Sequence, residues 1–284
     1  MRRAQGVPTQ RGLGRRLGIY QQVSAKMAGM NDARMHLEKA IELNPELTEA
    51  HYRLALLLID QGELKQAGQH LQTVVKIDPA HALGQFELAR LHHQNQKLDK
   101  AKVCYLQAIE IDTSVGDFHY YFARLLEEQN DLIEAKSHFE KATDADHNHA
   151  RAYYRLGRLL INPDDYDQAK QNYQIAVDIN PDFSEAHYYL GKLLSGGRRI
   201  NEEGALVIEP EIEEAKPHFA ACLALDNRDF KAHFNLAKLL AATGNLTEAE
   251  SHFRQALDIH PNYAKAHFNL ALLLMEQEGT GTSE

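Results

Sequence analysis

Five times along this chain an aromatic residue is followed four positions later by a base: Phe86/Arg90, Tyr120/Arg124, Tyr154/Arg158, Tyr188/Lys192 and Phe234/Lys238. On a helix that spacing sets ring and cation on one face. Bases in register on an otherwise acidic protein attract anions, and aromatics with arginine are the residues that most often dominate interface energy. Tyr121, Tyr189 and Arg155 adjoin the same stripe. The run stops at both ends, where Tyr52 is followed by Leu56 and Phe268 by Leu272. Each base has a local alternative, a cation–π contact with its own ring or an ion pair with a nearby acid, as Arg90 with Glu87 and Arg124 with Glu127 or Glu128. Such contacts contribute only about 0.2 to 1 kcal/mol each.

Catalytic signatures are missing. The chain has no G-x-S-x-G, H-E-x-x-H, paired C-x-x-C or G-x-x-x-x-G-K. The run Gly12-Leu13-Gly14-Arg15-Arg16-Leu17-Gly18 has neither a preceding strand nor the spacing of a phosphate loop. Sixteen histidines invite a metal reading, but ten recur at two fixed places: His51, His119, His187, His233 and His267, then His36, His70, His138, His218 and His252. Recurrence at packing positions is structural behaviour, whereas zinc needs clustered ligands of defined spacing. The expectation is a non-enzyme with no metal and no cofactor.

What positions the ladder is a repeat. Pro45, Pro79, Thr113, His147 and Pro181 lie at steps of 34, as do Asn227 and Pro261; the step from Pro181 to Asn227 is 46, an insertion of 12. A period of this length marks a helix pair that must stack on copies of itself to bury its apolar face. In the first helix of each unit a Leu or Phe precedes Ala or Gly, from Leu54/Ala55 to Leu270/Ala271, with another Leu three residues on. In the second come Ala33, Ala67, Ala101, Ala135, Ala169, Ala215 and Ala249, each followed four residues later by a bulky residue from Leu37 to Phe253.

This register of Leu-Ala/Gly, Ala, bulky residue, small residue and Pro resembles the tetratricopeptide repeat, and the likeness runs from about Leu13 to Met275. The resemblance implies an all-α fold, a right-handed superhelical solenoid of about seven and a half helix-turn-helix repeats. It also implies that the first helices line a concave groove, so that the ladder faces it. The expected partner-binding groove is then Phe86, Arg90, Tyr120, Tyr121, Arg124, Tyr154, Arg155, Arg158, Tyr188, Tyr189, Lys192, Asn235, Lys238 and Asn269. Its expected occupant is another protein, through an acidic or extended segment, and the expected function is a non-catalytic interaction scaffold.

Two further readings stand beside it. Asn235 and Asn269 resemble rungs of the Asn ladder in tetratricopeptide domains that recruit substrate for a glycosyltransferase, which would make the chain the regulatory part of an enzyme. Bases interleaved with aromatics could also stack single-stranded RNA, but outside the first 30 residues the chain carries 25 bases against 40 acids, a balance that repels phosphate. The chaperone-adaptor clamp of the family is not completed, because its Lys site is Tyr52, Phe86, Tyr120 or Tyr154.

Composition frames the rest. Arg2, Arg3, Arg11, Arg15, Arg16 and Lys26 precede any acid, and residues 1–12 are expected to be a basic arm, 13–276 the solenoid and 277–284 a polar tail. No apolar run approaches the roughly 20 residues of a membrane span. Cys104 and Cys222 occupy helical positions in different repeats, pointing to a reducing compartment, the cytoplasm. The insertion near 196–210 is expected to loop out, with its helix resuming near Glu211. The last helix, 264–275, has no second helix after it, leaving Leu270 and Leu274 uncovered and open to self-association.

Overall fold

The computed structural model describes residues 29, 31–160, 162–200, 205–208 and 210–281, in two compact units, Met1–Thr113 and Ser114–Glu284. In the first, α1 covers 31–43 and is followed by α2 (Thr48–Asp60), α3 (Leu64–Ile77), α4 (Ala82–Gln94) and α5 (Leu98–Ile111). In the second are α6 (Gly116–Glu128), α7 (Leu132–Ala145), α8 (Ala150–Leu159), a 3-10 turn (Pro163–Asp165), α9 (Tyr166–Ile179) and α10 (Ser184–Gly196). A hairpin of β1 (Arg198–Ile200) and β2 (Leu206–Ile208) comes next, then α11 (Ile212–Leu225), α12 (Phe230–Ala242), α13 (Leu246–Ile259) and α14 (Ala264–Gly281). Within each unit helices pack on their neighbours in sequence, the all-α helical-repeat architecture expected of the period. Residues 1–28, with the expected basic arm and the expected start of the repeats near Leu13, lie outside the described residues.

The turns repeat as faithfully as the core. Five first helices end on a left-handed residue, Gly62, Gln96, Asn130, Gly197 and Gly244. At the first, the Gly62 N–H donates to Ile59 O (3.0 Å) and the Glu63 N–H to Leu58 O (2.8 Å), a Schellman closure that satisfies the last carbonyls, and Gln96, Asn130 and Gly244 repeat it. The second helices from α3 to α11 instead end on an extended Asp or Asn, whose side-chain oxygen accepts from the backbone two residues on, as Asp78 does from Ala80 (3.0 Å) and Asp146 from Asn148 (2.9 Å), whereas α13 ends on His260.

The conserved-size positions form the core. Ala67, Ala101, Ala135, Ala169, Ala215 and Ala249 are all buried, and so are Leu71, Tyr105, Phe139, Tyr173, Phe219 and Phe253 one turn later. At Gly157 an added Cβ would lie 2.8 Å from the Tyr173 ring, and at Gly84 2.6 Å from Val74.

The periodic histidines meet in pairs. Nδ1 faces Nδ1 in His51/His70 (2.9 Å), His119/His138 (3.0 Å), His187/His218 (2.9 Å) and His233/His252 (2.8 Å), each tying the two helices of one repeat. In three pairs the first-helix ring also bonds through Nε2 to the carbonyl six residues earlier, of Pro45, Pro181 or Asn227. That Nε2 must donate, so its Nδ1 is bare and accepts the Nδ1–H of the second ring, an assignment fixed by the network.

The structure departs from expectation in three places. The insertion is a hairpin rather than a loop, with Arg198 opposite Ile208 and Ile200 opposite Leu206. The last helix continues past Met275 to Gly281. On it Leu270 is buried and Leu274 half-buried, because the preceding helix α13 packs on that face; Phe268, Leu272 and Met275 are the exposed apolar residues, at 64%, 49% and 70%.

Candidate functional site

The ladder residues sit where their spacing places them, on first helices: Phe86 and Arg90 on α4 in the first unit, the others on α6, α8, α10, α12 and α14 in the second. The rings do not present a contact surface. Phe86, Tyr120, Tyr154 and Phe234 are buried and Tyr188 half-buried. Within the second unit Tyr120 packs on Phe139 and His149, Tyr154 on Tyr173 and Phe183, and Phe234 on Phe253 and Tyr263, with centroids 4.6–6.1 Å apart. They belong to the core between helices, and burial pushes the Tyr154 and Tyr188 phenols up. Tyr121 and Tyr189, beside the ladder, are half-buried like Tyr188.

The bases lie over rings, though not always over the ring four residues back. Arg90 is 5.7 Å from the Phe86 centroid and Lys238 5.9 Å from Phe234. Arg124 instead covers Tyr121 (5.9 Å) and Lys192 covers Tyr189 (5.9 Å), a spacing of three. Arg158 lies between Tyr154 (5.9 Å) and Tyr189 (5.5 Å). Some of these charges are already answered: Arg90 pairs with Glu87 (2.9 Å), Arg124 approaches Glu128 (4.0 Å) and Arg155 pairs with Glu127 (2.9 Å). Arg158, Lys192 and Lys238 are exposed and make no ion pair with the described residues. The uncompensated charge is therefore concentrated on α8, α10 and α12. Asn235 and Asn269 turn back on their own helices, donating to Lys231 O (2.9 Å) and Lys265 O (2.8 Å).

Two hollows open beside the stripe. A smaller one, about 380 Å³, brings Tyr120, Arg124, Tyr154 and Arg155 together with Arg151, Asp182 and Glu185. The larger, about 670 Å³, lies among α8, α9 and α10 and gathers Arg158, Tyr189 and Lys192 with Leu160, Tyr173 and Leu193. Its origin is local. Residue 162 precedes a proline and is extended (φ −82°, ψ 152°), so α8 stops at Leu159 after 10 residues where the other complete first helices run 13. The missing turn is the space. Arg151 and the Asn162-Pro163 break were not read as site features from sequence, although a proline where other repeats carry Gln61, Asn95 or Gln129 was a usable signal.

No group of three His, Cys, Asp or Glu among the described residues could hold a metal ion. No described helix is long and apolar enough to cross a membrane.

Family models for the tetratricopeptide repeat match residues 30–85, 58–125, 125–193 and 230–263. No curated protein matches by sequence. Among solved structures, one described as YrrB, a TPR protein with an unusual peptide-binding site, is 25% identical with a TM-score of 0.57, covering 70% of this chain and 96% of its own. The pilF protein of Pseudomonas aeruginosa is 18% identical with a TM-score of 0.64, over 86% and 99%. PilW, a type IV pilus biogenesis factor, is 18% identical with a TM-score of 0.58, over 79% and 98%. At these identities the last two likenesses show the fold alone.

Proposed function

Because the chain belongs to the tetratricopeptide repeat family, we propose that it is a non-catalytic protein–protein interaction scaffold whose second unit binds an acidic, extended partner segment along α8, α10 and α12. The observation that carries this is the row of Arg158, Lys192 and Lys238 on three successive first helices, exposed and without ion pairs. A carboxylate reaching them has no ion pair to displace, only the contact of each cation with its ring. The likeness to a peptide-binding TPR protein at 25% identity supports a peptide as the occupant. The buried Cys104 and Cys222, whose thiols burial pushes up, support a reducing location, the cytoplasm.

The test is a salt titration of binding to a fluorescein-labelled acidic peptide by the parent and by the triple variant Arg158→Glu, Lys192→Glu, Lys238→Glu. The parent should lose affinity as salt rises, and the variant should bind about tenfold or more weakly with a flattened slope. Equal affinity and equal slope in the two proteins would remove the ladder from recognition. The exposed Phe268, Leu272 and Met275 of α14 support self-association through that helix. Leu272→Asp should then lower the mass measured by light scattering, and a parent that is monomeric throughout would dismiss it.

A further inference from the structure

We propose that the 670 Å³ cavity among α8, α9 and α10 is an anchor site for one aromatic side chain of a partner segment, with a neighbouring carboxylate of that segment held by Arg158 and Lys192. The inference rests on the groove reading above and adds to it where, and by what side chain, the segment is fixed.

The cavity is a break in the repeat rather than a feature of it. A proline at position 163 ends α8 one turn early, and the 3-10 turn Pro163–Asp165 carries the chain away before α9 begins. The volume so freed is within the range of about 300–1,000 Å³ typical of sites that enclose organic groups. Its walls are suited to a ring. Leu160 and Leu193 are aliphatic, and Tyr173 and Tyr189 stack 6.2 Å apart with an interplanar angle of 21°. Gly157 removes the side chain that would otherwise stand against Tyr173.

Two polar features select what accompanies the ring. Tyr173 is only 5% exposed, yet its hydroxyl has no hydrogen-bond partner among the described residues and is not sealed in the core, so a guest in the cavity it lines can reach it. Arg158 and Lys192, on consecutive first helices, both lie over the Tyr189 ring, at 5.5 Å and 5.9 Å, and neither has an ion-pair partner among the described residues. Two cations held beside an apolar cavity are complementary to a carboxylate next to an aromatic group. By contrast, the smaller hollow carries Asp182 and Glu185 beside its arginines and does not share this polarity.

The experiment uses two 12-residue probes of alternating Glu and Ser, one with a single central Phe and one with Ala in its place, measured by fluorescence anisotropy against the full chain. The parent should bind the Phe probe about tenfold more tightly than the Ala probe. Gly196 lines the cavity, and a Cβ added there meets nothing within 4 Å, so Gly196→Trp fills the space from an open edge. In that variant the Phe/Ala ratio should fall to about one while the Ala probe binds as before. The milder Gly196→Leu should lower the ratio in the same direction at an unchanged melting temperature. Equal binding of both probes by the parent overturns the anchor and leaves the groove reading standing, as does a ratio that survives in both variants. Failure of both probes to bind overturns the groove reading and the anchor with it.

Discussion

Acid should loosen the second unit before its carboxylates titrate, and the paired histidines give the size of the effect. Burial pushes His138 down to about 4, helped by Lys141 and His119, and His218 to about 4, helped by His187 against the opposing charges of Glu214 and Asp178. In the unfolded chain both take up a proton near pH 6.5, so between about pH 6.5 and pH 4 the unfolded state binds more protons and stability falls with pH. A native value near 4 corresponds to a loss of about 2 kcal/mol at pH 5 for the buried His138. For the half-buried His218, solvent screening reduces this to about 1 kcal/mol. A drop of about 3 kcal/mol from pH 7.5 to pH 5 is a large share of a domain's stability. Urea unfolding followed at 222 nm measures it at the two pH values. The double variant His119→Phe, His138→Leu removes one pair as apolar groups of similar shape, so it should lose about 2 kcal/mol less than the parent over the same interval. A parent midpoint that does not move between pH 7.5 and 5, or a double variant that loses as much as the parent, would refute the reasoning.

Other expectations follow from single positions. Gly157→Ala places a Cβ 2.8 Å from the Tyr173 ring and should destabilise the second unit by about 1–3 kcal/mol, whereas Gly196→Ala, with open space around it, should be near neutral by the same urea assay. Gln96 closes α4 at φ 59° without being glycine, so Gln96→Gly should stabilise the first unit by about 1 kcal/mol; a lower midpoint would show that its side chain does more than tolerate the turn.

How far the sequence could be read depended on whether the deciding chemistry was periodic. Ala67 to Ala249 and their bulky partners had one physical task, close helix approach, and repeated it in register, so fold and core were legible. The ladder was legible only as a set of positions. Whether Tyr120 offers its ring to a partner depends on Phe139 and His149 packing over it, and whether Arg155 is free depends on Glu127, 28 residues away, accepting its guanidinium. The histidines were seen at both positions but read separately, since nothing in a spacing of 19 says that two Nδ1 atoms will meet at 3 Å. Arg198–Ile200 and Leu206–Ile208 are too short for an alternating pattern to announce a strand pair. The cavity arose from one proline breaking the period, and a deviation is harder to interpret than a recurrence.

The joint between α10 and α11 bears on how this scaffold could be modified. His187 and His218 stand 31 residues apart, yet they meet at 2.9 Å like the pairs separated by 19. The Glu211 N–H donates to Leu194 O at 2.9 Å, clasping the two sides of the insertion together at its base. The insertion thus leaves and rejoins the repeat at one closed point, and the helix pair around it keeps the contact seen in the uninterrupted repeats. This makes the stretch of chain between Ile200 and Leu206 a natural splice point: a reporter, an affinity peptide or a second binding module grafted there would enter and leave through a closed neck, and the helices on either side would keep their phase.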